Sequence, residues 1–393
     1  MLEVKVKSII LFVGLFLVNG LYAIMPNIHS SGIAIDPIFS YKQMYDSNIY
    51  LEPKGQAVND WISNIQAGLN IDFPLVPTRG KDIYLQGLYR ADLLAFWRNT
   101  NRTRVDHNFA GAFNSKFMKY FNLYVKETFR RTADPPNSER TQLYRRIRNV
   151  LTGSLATVGK DVTGEVNYDF IRDKYDALAN LSKYTQIATA GLFWRTWPKV
   201  FLFLEYDYSW ISYDNNLTNS NSTSNQGRIG VDGLILNKLQ GMLKMGYRFQ
   251  NYREKSKKDF SGFVISGKLR YDFSPRTRAH LVVQRSPEES SYSVNSYYTT
   301  NFLALLISHA LTERLNLNVD PFIRYNGYSM DTTTGTKTEK RQDWFYGGMI
   351  GLKYEIREWV FASIQYEIKD RDSNFSEYCY LDQKAWGRIG FEF

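Results

Sequence analysis

Along most of the chain, apolar and polar residues alternate one for one. Val200, Leu202, Leu204, Tyr206, Tyr208 and Trp210 interleave with Glu205, Asp207 and Ser209. Leu239, Leu243, Met245, Tyr247 and Phe249 interleave with Gln240, Lys244 and Arg248, and Phe263, Ile265, Leu269, Tyr271 and Phe273 with Lys268, Arg270 and Asp272. Near the end, Val360, Ala362, Ile364, Tyr366 and Ile368 oppose Gln365, Glu367 and Lys369. A period of two defines the two faces of a β-strand, because successive side chains point to opposite sides. The strands run to about ten to twelve residues, the length a tilted strand needs to cross hydrocarbon.

The connections alternate as well. Tight ones such as VGKD (158–161), RTWPK (195–199) and IREW (356–359) take turns with long polar ones at 130–144, 214–227, 251–259, 330–343 and 370–378. Within 214–227, the loop 215–225, with its run NLTNSNSTSN (216–225), is a low-complexity segment expected to be mobile. Short periplasmic turns and long extracellular loops are the wiring of outer-membrane barrels. The pattern predicts an all-β fold: a transmembrane antiparallel β-barrel of about eighteen strands, from near Ile33 to a closing strand at 381–393. Sixteen is the alternative, because 150–158, 185–195 and 298–308 alternate poorly.

The chain ends WGRIGFEF, with Ile389, Phe391 and Phe393 on one face. This ending is read as the assembly signal of the closing strand, with the barrel assembly machinery as partner. At the other end, Lys5 and Lys7 precede an apolar run from Ile9 to Val18 and a small residue, Ala23. That is the layout of a signal peptide over 1–23, leaving a barrel domain over 24–393.

Composition fits this picture. Mean hydropathy is −0.38, yet aromatic residues make up 16% of the chain, with 28 Tyr, 25 Phe and 8 Trp. A barrel in lipid reconciles the two, since half of its residues face a wet lumen while aromatics gather in interfacial girdles. The single cysteine, Cys379, excludes an intramolecular disulfide. The formal charge of +10 on an exported chain points to anionic solutes or polymers and lipopolysaccharide phosphate as partners, and not to nucleic acid.

Candidate chemistry is sparse. Of His29, His107, His280 and His309, only His107 lies near an outer loop, and its neighbour Asp106 points to the opposite face. Metal-ligand spacing, a phosphate loop and a nucleophile elbow are all lacking, so no catalytic, cofactor or metal residue is assigned. Pore-lining candidates are Arg90, Lys126, Lys244, Arg248, Lys268, Arg270, Arg324 and Lys353, since rings of Arg and Lys favour anions.

Residues 45–71 carry Tyr45, Asp46 and Asn48, then Asp60, Trp61 and Ile62, then Gly68 and Leu69. Together with Tyr354, Trp359, Tyr366 and DRDSN (370–374), they resemble the putative beta-barrel porin 2 family, exopolysaccharide-associated porins of the outer membrane. The resemblance implies a pore exporting an anionic capsule or exopolysaccharide, with periplasmic export components as partners. A general or weakly anion-selective porin for small solutes is the alternative, and an outer-membrane hydrolase is less favoured.

Overall fold

The computed structural model describes residues 34–74, 83–117, 120–135, 137–141, 143–157, 159–215, 219–292 and 294–392. The signal segment 1–23, with His29, and the terminal Phe393 lie outside the described residues.

The strands are β1 (Ala34–Asp46), β2 (Asp60–Pro74), β3 (Ile83–Phe96), β4 (Arg104–Phe117), β5 (Phe121–Thr132) and β6 (Arg146–Thr157). They continue as β7 (Val162–Tyr175), β8 (Lys183–Trp197), β9 (Val200–Tyr213), β10 (Ser222–Leu236), β11 (Leu239–Tyr252) and β12 (Phe260–Ser274). The rest are β13 (Thr277–Glu289), β14 (Tyr297–Ala310), β15 (Leu315–Val319), β16 (Phe322–Thr334), β17 (Lys337–Arg357), β18 (Val360–Ser373) and β19 (Tyr380–Glu392). All but β15 and β16 pair antiparallel with their chain neighbours, and β1 closes on β19 through nine residue pairs, from Ile38 opposite Glu392 to Asp46 opposite Lys384.

β15 and β16 are two halves of one crossing, because both pair with β14 and β17. Pro321 separates them, having no N–H to donate. The ladder survives the break: Asp320 exchanges backbone hydrogen bonds with Met349, and Leu305 N–H reaches Pro321 O at 3.0 Å. The barrel therefore has eighteen crossings, and the three weakly alternating stretches are β6, β8 and β14.

Register fixes the faces. On β9 the even residues from Leu202 to Trp210 point outward and the odd ones, including Glu205 and Asp207, point into the lumen. On β18, Ile364 is 62% exposed on the outer wall, and apolar exposure on this scale around the barrel belongs in lipid. Six tyrosines on that wall bond to polar outward neighbours: Tyr41 to Gln43, Tyr89 to His107, Tyr168 to Gln186, Tyr206 to Asn225, Tyr247 to Ser261, and Tyr366 to Gln383.

Several connections differ from expectation. The segment 330–343 is a hairpin that carries β16 and β17 past the wall and turns at Gly335 with φ +59°. Residues 222–225 begin β10, while Asn219 is buried and bonds through its side chain to Asn180 O. Polar strand extensions keep their ladders wherever a neighbour supplies backbone partners, whatever their hydropathy. Within 215–225, Asn219 is thus tied to the neighbouring loop.

Candidate functional site

The β5–β6 connection, residues 133–145, turns inward. At its tip Asn137 Oδ1 accepts from the backbone N–H of Glu139 and of Arg140, at 3.1 and 3.2 Å, which makes a tight local turn. The turn drives Glu139 against the far wall, where it is wholly buried. One Glu139 carboxylate oxygen accepts from Ser290 Oγ at 2.7 Å, and the other from Ser291 N and Ser291 Oγ at 2.5 and 2.7 Å. Ser138 Oγ accepts from Asn326 Nδ2 at 3.0 Å, and Arg140 Nη2 donates to Ser291 O at 2.7 Å. β14 stands nine places from β5 on an eighteen-crossing ring. The loop therefore spans the lumen.

Its seat is a buried ionic cluster. Asp343 accepts from Arg341 at 2.9 Å, from Arg371 at 2.6 Å and from Tyr328 Oη at 3.2 Å. Both arginines also donate to the Glu139 carbonyl oxygen, at 3.5 and 3.3 Å. Arg341 and Arg371 are at most 1% exposed, and Arg341 stacks 3.5 Å from the Tyr378 ring centroid. Charges buried this deeply persist only when paired and hydrogen-bonded. Burial pushes the Glu139 carboxyl above its ordinary range, and hydrogen bonds from Ser291 and Ser290 and the charge of Arg341 pull it back.

Beside the loop lies a cavity of about 500 Å³, enclosed by the outer halves of β6–β11 and the end of β13. Its basic lining is Arg146, Arg148, Lys183, Arg228 and Arg248, matched by the acids Asp169, Asp173, Asp207, Glu288 and Glu289. Four of these charges meet in ion pairs. Arg148 lies 3.1 Å from Asp173, and Arg228 is 2.6 Å from Asp207 and 3.1 Å from Glu205. Hydroxyl and amide groups of Thr189, Ser209, Ser224, Gln226 and Gln250 fill the intervals. Such a surface offers water, sugars and both signs of small ion something to bond.

All eight basic residues proposed from sequence sit on the inward register, but not as a single ladder. Lys244 is held 3.0 Å from Glu205, contributed by β9 across β10. Arg270 pairs with Asp272 at 2.9 Å, and Lys353 is 3.8 Å from Glu355. Arg324 lies over the Phe302 ring, 5.1 Å from its centroid. Arg90 and Lys126 lie inward on β3 and β5. Arg248 lines the 500 Å³ cavity, whereas Lys268 lines a separate one near the short-turn rim. Ile389 and Phe391 point outward on β19. Sequence reasoning missed Glu139 and its seat; the one local hint is DPPN (134–137), a turn-forming run ahead of a charged triplet.

His107 faces outward and bonds to Tyr89 Oη at 2.9 Å, and His309 bonds to Thr277 Oγ1 at 2.8 Å. Among the described residues no histidine is ion-paired to a carboxylate, and no cluster of side chains suits a metal.

Solved porins share this architecture. OccK5 (OpdH) of Pseudomonas aeruginosa aligns over 91% of this chain and 98% of its own, at TM-score 0.51 and 10% identity. OccAB3 of Acinetobacter baumannii aligns over 91% and 99%, again at TM-score 0.51 and 10% identity. A BenF-like porin from Pseudomonas fluorescens Pf-5 aligns over 92% and 99%, at TM-score 0.52 and 10% identity. At such identity the likeness speaks for the fold. No curated protein matches the chain. The family model described as Putative beta-barrel porin 2 matches residues 180–385, from the loop before β8 to the middle of β19. The chain belongs to the putative beta-barrel porin 2 family and is an integral barrel of the outer membrane.

Proposed function

We propose that the protein is a passive, water-filled pore for small polar solutes, narrowed by the loop 133–145. The observation that carries this reading is the loop's fixed crossing, with Glu139 bonded to Ser290 and Ser291 on the far side. Export of an anionic capsule or exopolysaccharide, which the sequence resemblance implies, requires that loop to leave its seat. The balanced charges of the adjoining cavity favour small solutes of either sign over a strongly anion-selective filter at that level. The excess basic charge of the whole chain still gives a weak anion preference at low ionic strength, fading once charges are screened within about 8 Å at physiological salt.

Liposome swelling with sugars of graded size tests the reading. Mono- and disaccharides pass through the wild-type protein, longer oligosaccharides are excluded, and shortening 133–145 admits them. Rapid entry of long oligosaccharides through the wild-type pore refutes it. Normal capsule in cells whose pore carries Glu139→Cys and Ser291→Cys joined by a disulfide would overturn that need for loop motion.

A further inference from the structure

We propose that the periplasmic mouth carries an oxyanion-binding notch on the wall of β10–β13, which takes carboxylate or phosphate groups on solutes approaching from the periplasm. This deepens the pore reading and rests on it. The notch is a cavity of about 510 Å³ at the short-turn rim, lined by Lys199, Asp232, Gln240, Lys268, Arg270 and His280. Beside it, Arg270 and Arg278 share Asp272 at 2.9 and 3.1 Å. Lys199 and Lys268 have no ion-pair partner among the described residues. The outer cavity matches five bases with five acids; the notch is lined by three bases, Lys199, Lys268 and Arg270, and one acid, Asp232.

The backbone makes room for this excess. Gly233 and Gly241 are directly paired and have φ of +125° and +143°. A Cβ on Gly233 would lie 2.0 Å from Lys199 O, and one on Gly241 would lie 2.1 Å from Lys268 O. Only glycine adopts these angles at such approach, and the hairpin's register shifts just beyond, between Leu234 and Leu236. The register shift and the bare backbone leave the lysines around an open recess, where Coulomb attraction concentrates anions.

The test uses the full chain in planar bilayers at low salt, with orientation fixed, and adds inorganic pyrophosphate or trigalacturonate to one side at a time. Block is expected at concentrations about tenfold lower from the short-turn side, and the Lys199→Gln/Lys268→Gln variant should lose that difference, as expected for two partly screened unit charges. Lys268→Arg on the wild-type background should keep it. Which probe blocks tells whether a carboxylated sugar or a phosphate is the better ligand. Equal block from both sides, block by neither probe, or an unchanged asymmetry in the double variant overturns the proposal. If the double variant fails to assemble, wild-type block that does not weaken with rising salt overturns it equally. A folded barrel with no conductance refutes the pore reading instead, and equilibrium dialysis of pyrophosphate against the detergent-solubilised barrel then decides the notch on its own.

Discussion

Glu139→Ala removes the carboxylate that fastens the crossing loop. Three donors, Ser290 Oγ–H, Ser291 N–H and Ser291 Oγ–H, lose their acceptor at a buried site. At about 1 kcal/mol net for each hydrogen bond, the seat weakens by about 3 kcal/mol. About 3 kcal/mol is roughly a hundredfold in the ratio of seated to unseated loop. The barrel ladders do not involve Glu139, so the variant should still migrate as a compact barrel in unheated gels. Single-channel recordings should show higher mean conductance and frequent large fluctuations, and Glu139→Gln, which keeps an acceptor oxygen, should lie between the variant and wild type. A correctly folded Glu139→Ala pore with wild-type conductance and quiet current would refute the idea that this contact sets the constriction.

Three further expectations follow from other parts of the barrel. A lipid-phase thiol reagent should label Ile364→Cys and spare Gln365→Cys, and the reverse pattern would overturn the register of β18. Hydrogen bonds from Arg172 hold the Asp214 carboxyl below its ordinary range, so the tether of 214–221 is complete above that ordinary range and is lost as pH falls through the depressed value. Protease cleavage in that loop should rise only on acidification, with Asp214→Asn cleaved at every pH; a pH-independent rate in wild type counts against the tether. Deleting Phe393 should lower outer-membrane levels of the protein while leaving its periplasmic appearance unchanged, and normal levels would dismiss the assembly role of the WGRIGFEF ending.

The wall was legible because its information is local. Side-chain direction repeats every two residues, so Leu202 to Trp210 and Val360 to Ile368 declare their lipid face without any knowledge of their neighbours. Even the poorly alternating β8 was recoverable, since its flanking turns fix where a crossing must lie. What occupies the lumen was not legible. Glu139 meets Ser291 across 152 positions of sequence, and its carbonyl meets Arg371 across 232. No periodicity encodes a contact of that span. The partner of Lys244 was hidden in the same way: Glu205 comes from two strands away. Arg341 and Asp343, read as part of a polar loop, proved to be among the most buried ionic side chains of the described residues for the same reason.

The six outward tyrosines, each bonded to an amide, hydroxyl or imidazole on the same wall, give the barrel its own waterline. Interfacial tyrosines ordinarily turn their hydroxyls to lipid headgroups. Here the partner travels with the protein, so the energetic step between wet and dry is written into the wall and does not depend on which headgroups surround it. Such a barrel should ride at one depth in lipopolysaccharide and in plain phospholipid alike. A bilayer of the wrong thickness then thins or thickens around it, since sliding would carry a whole ring of paired polar groups toward hydrocarbon.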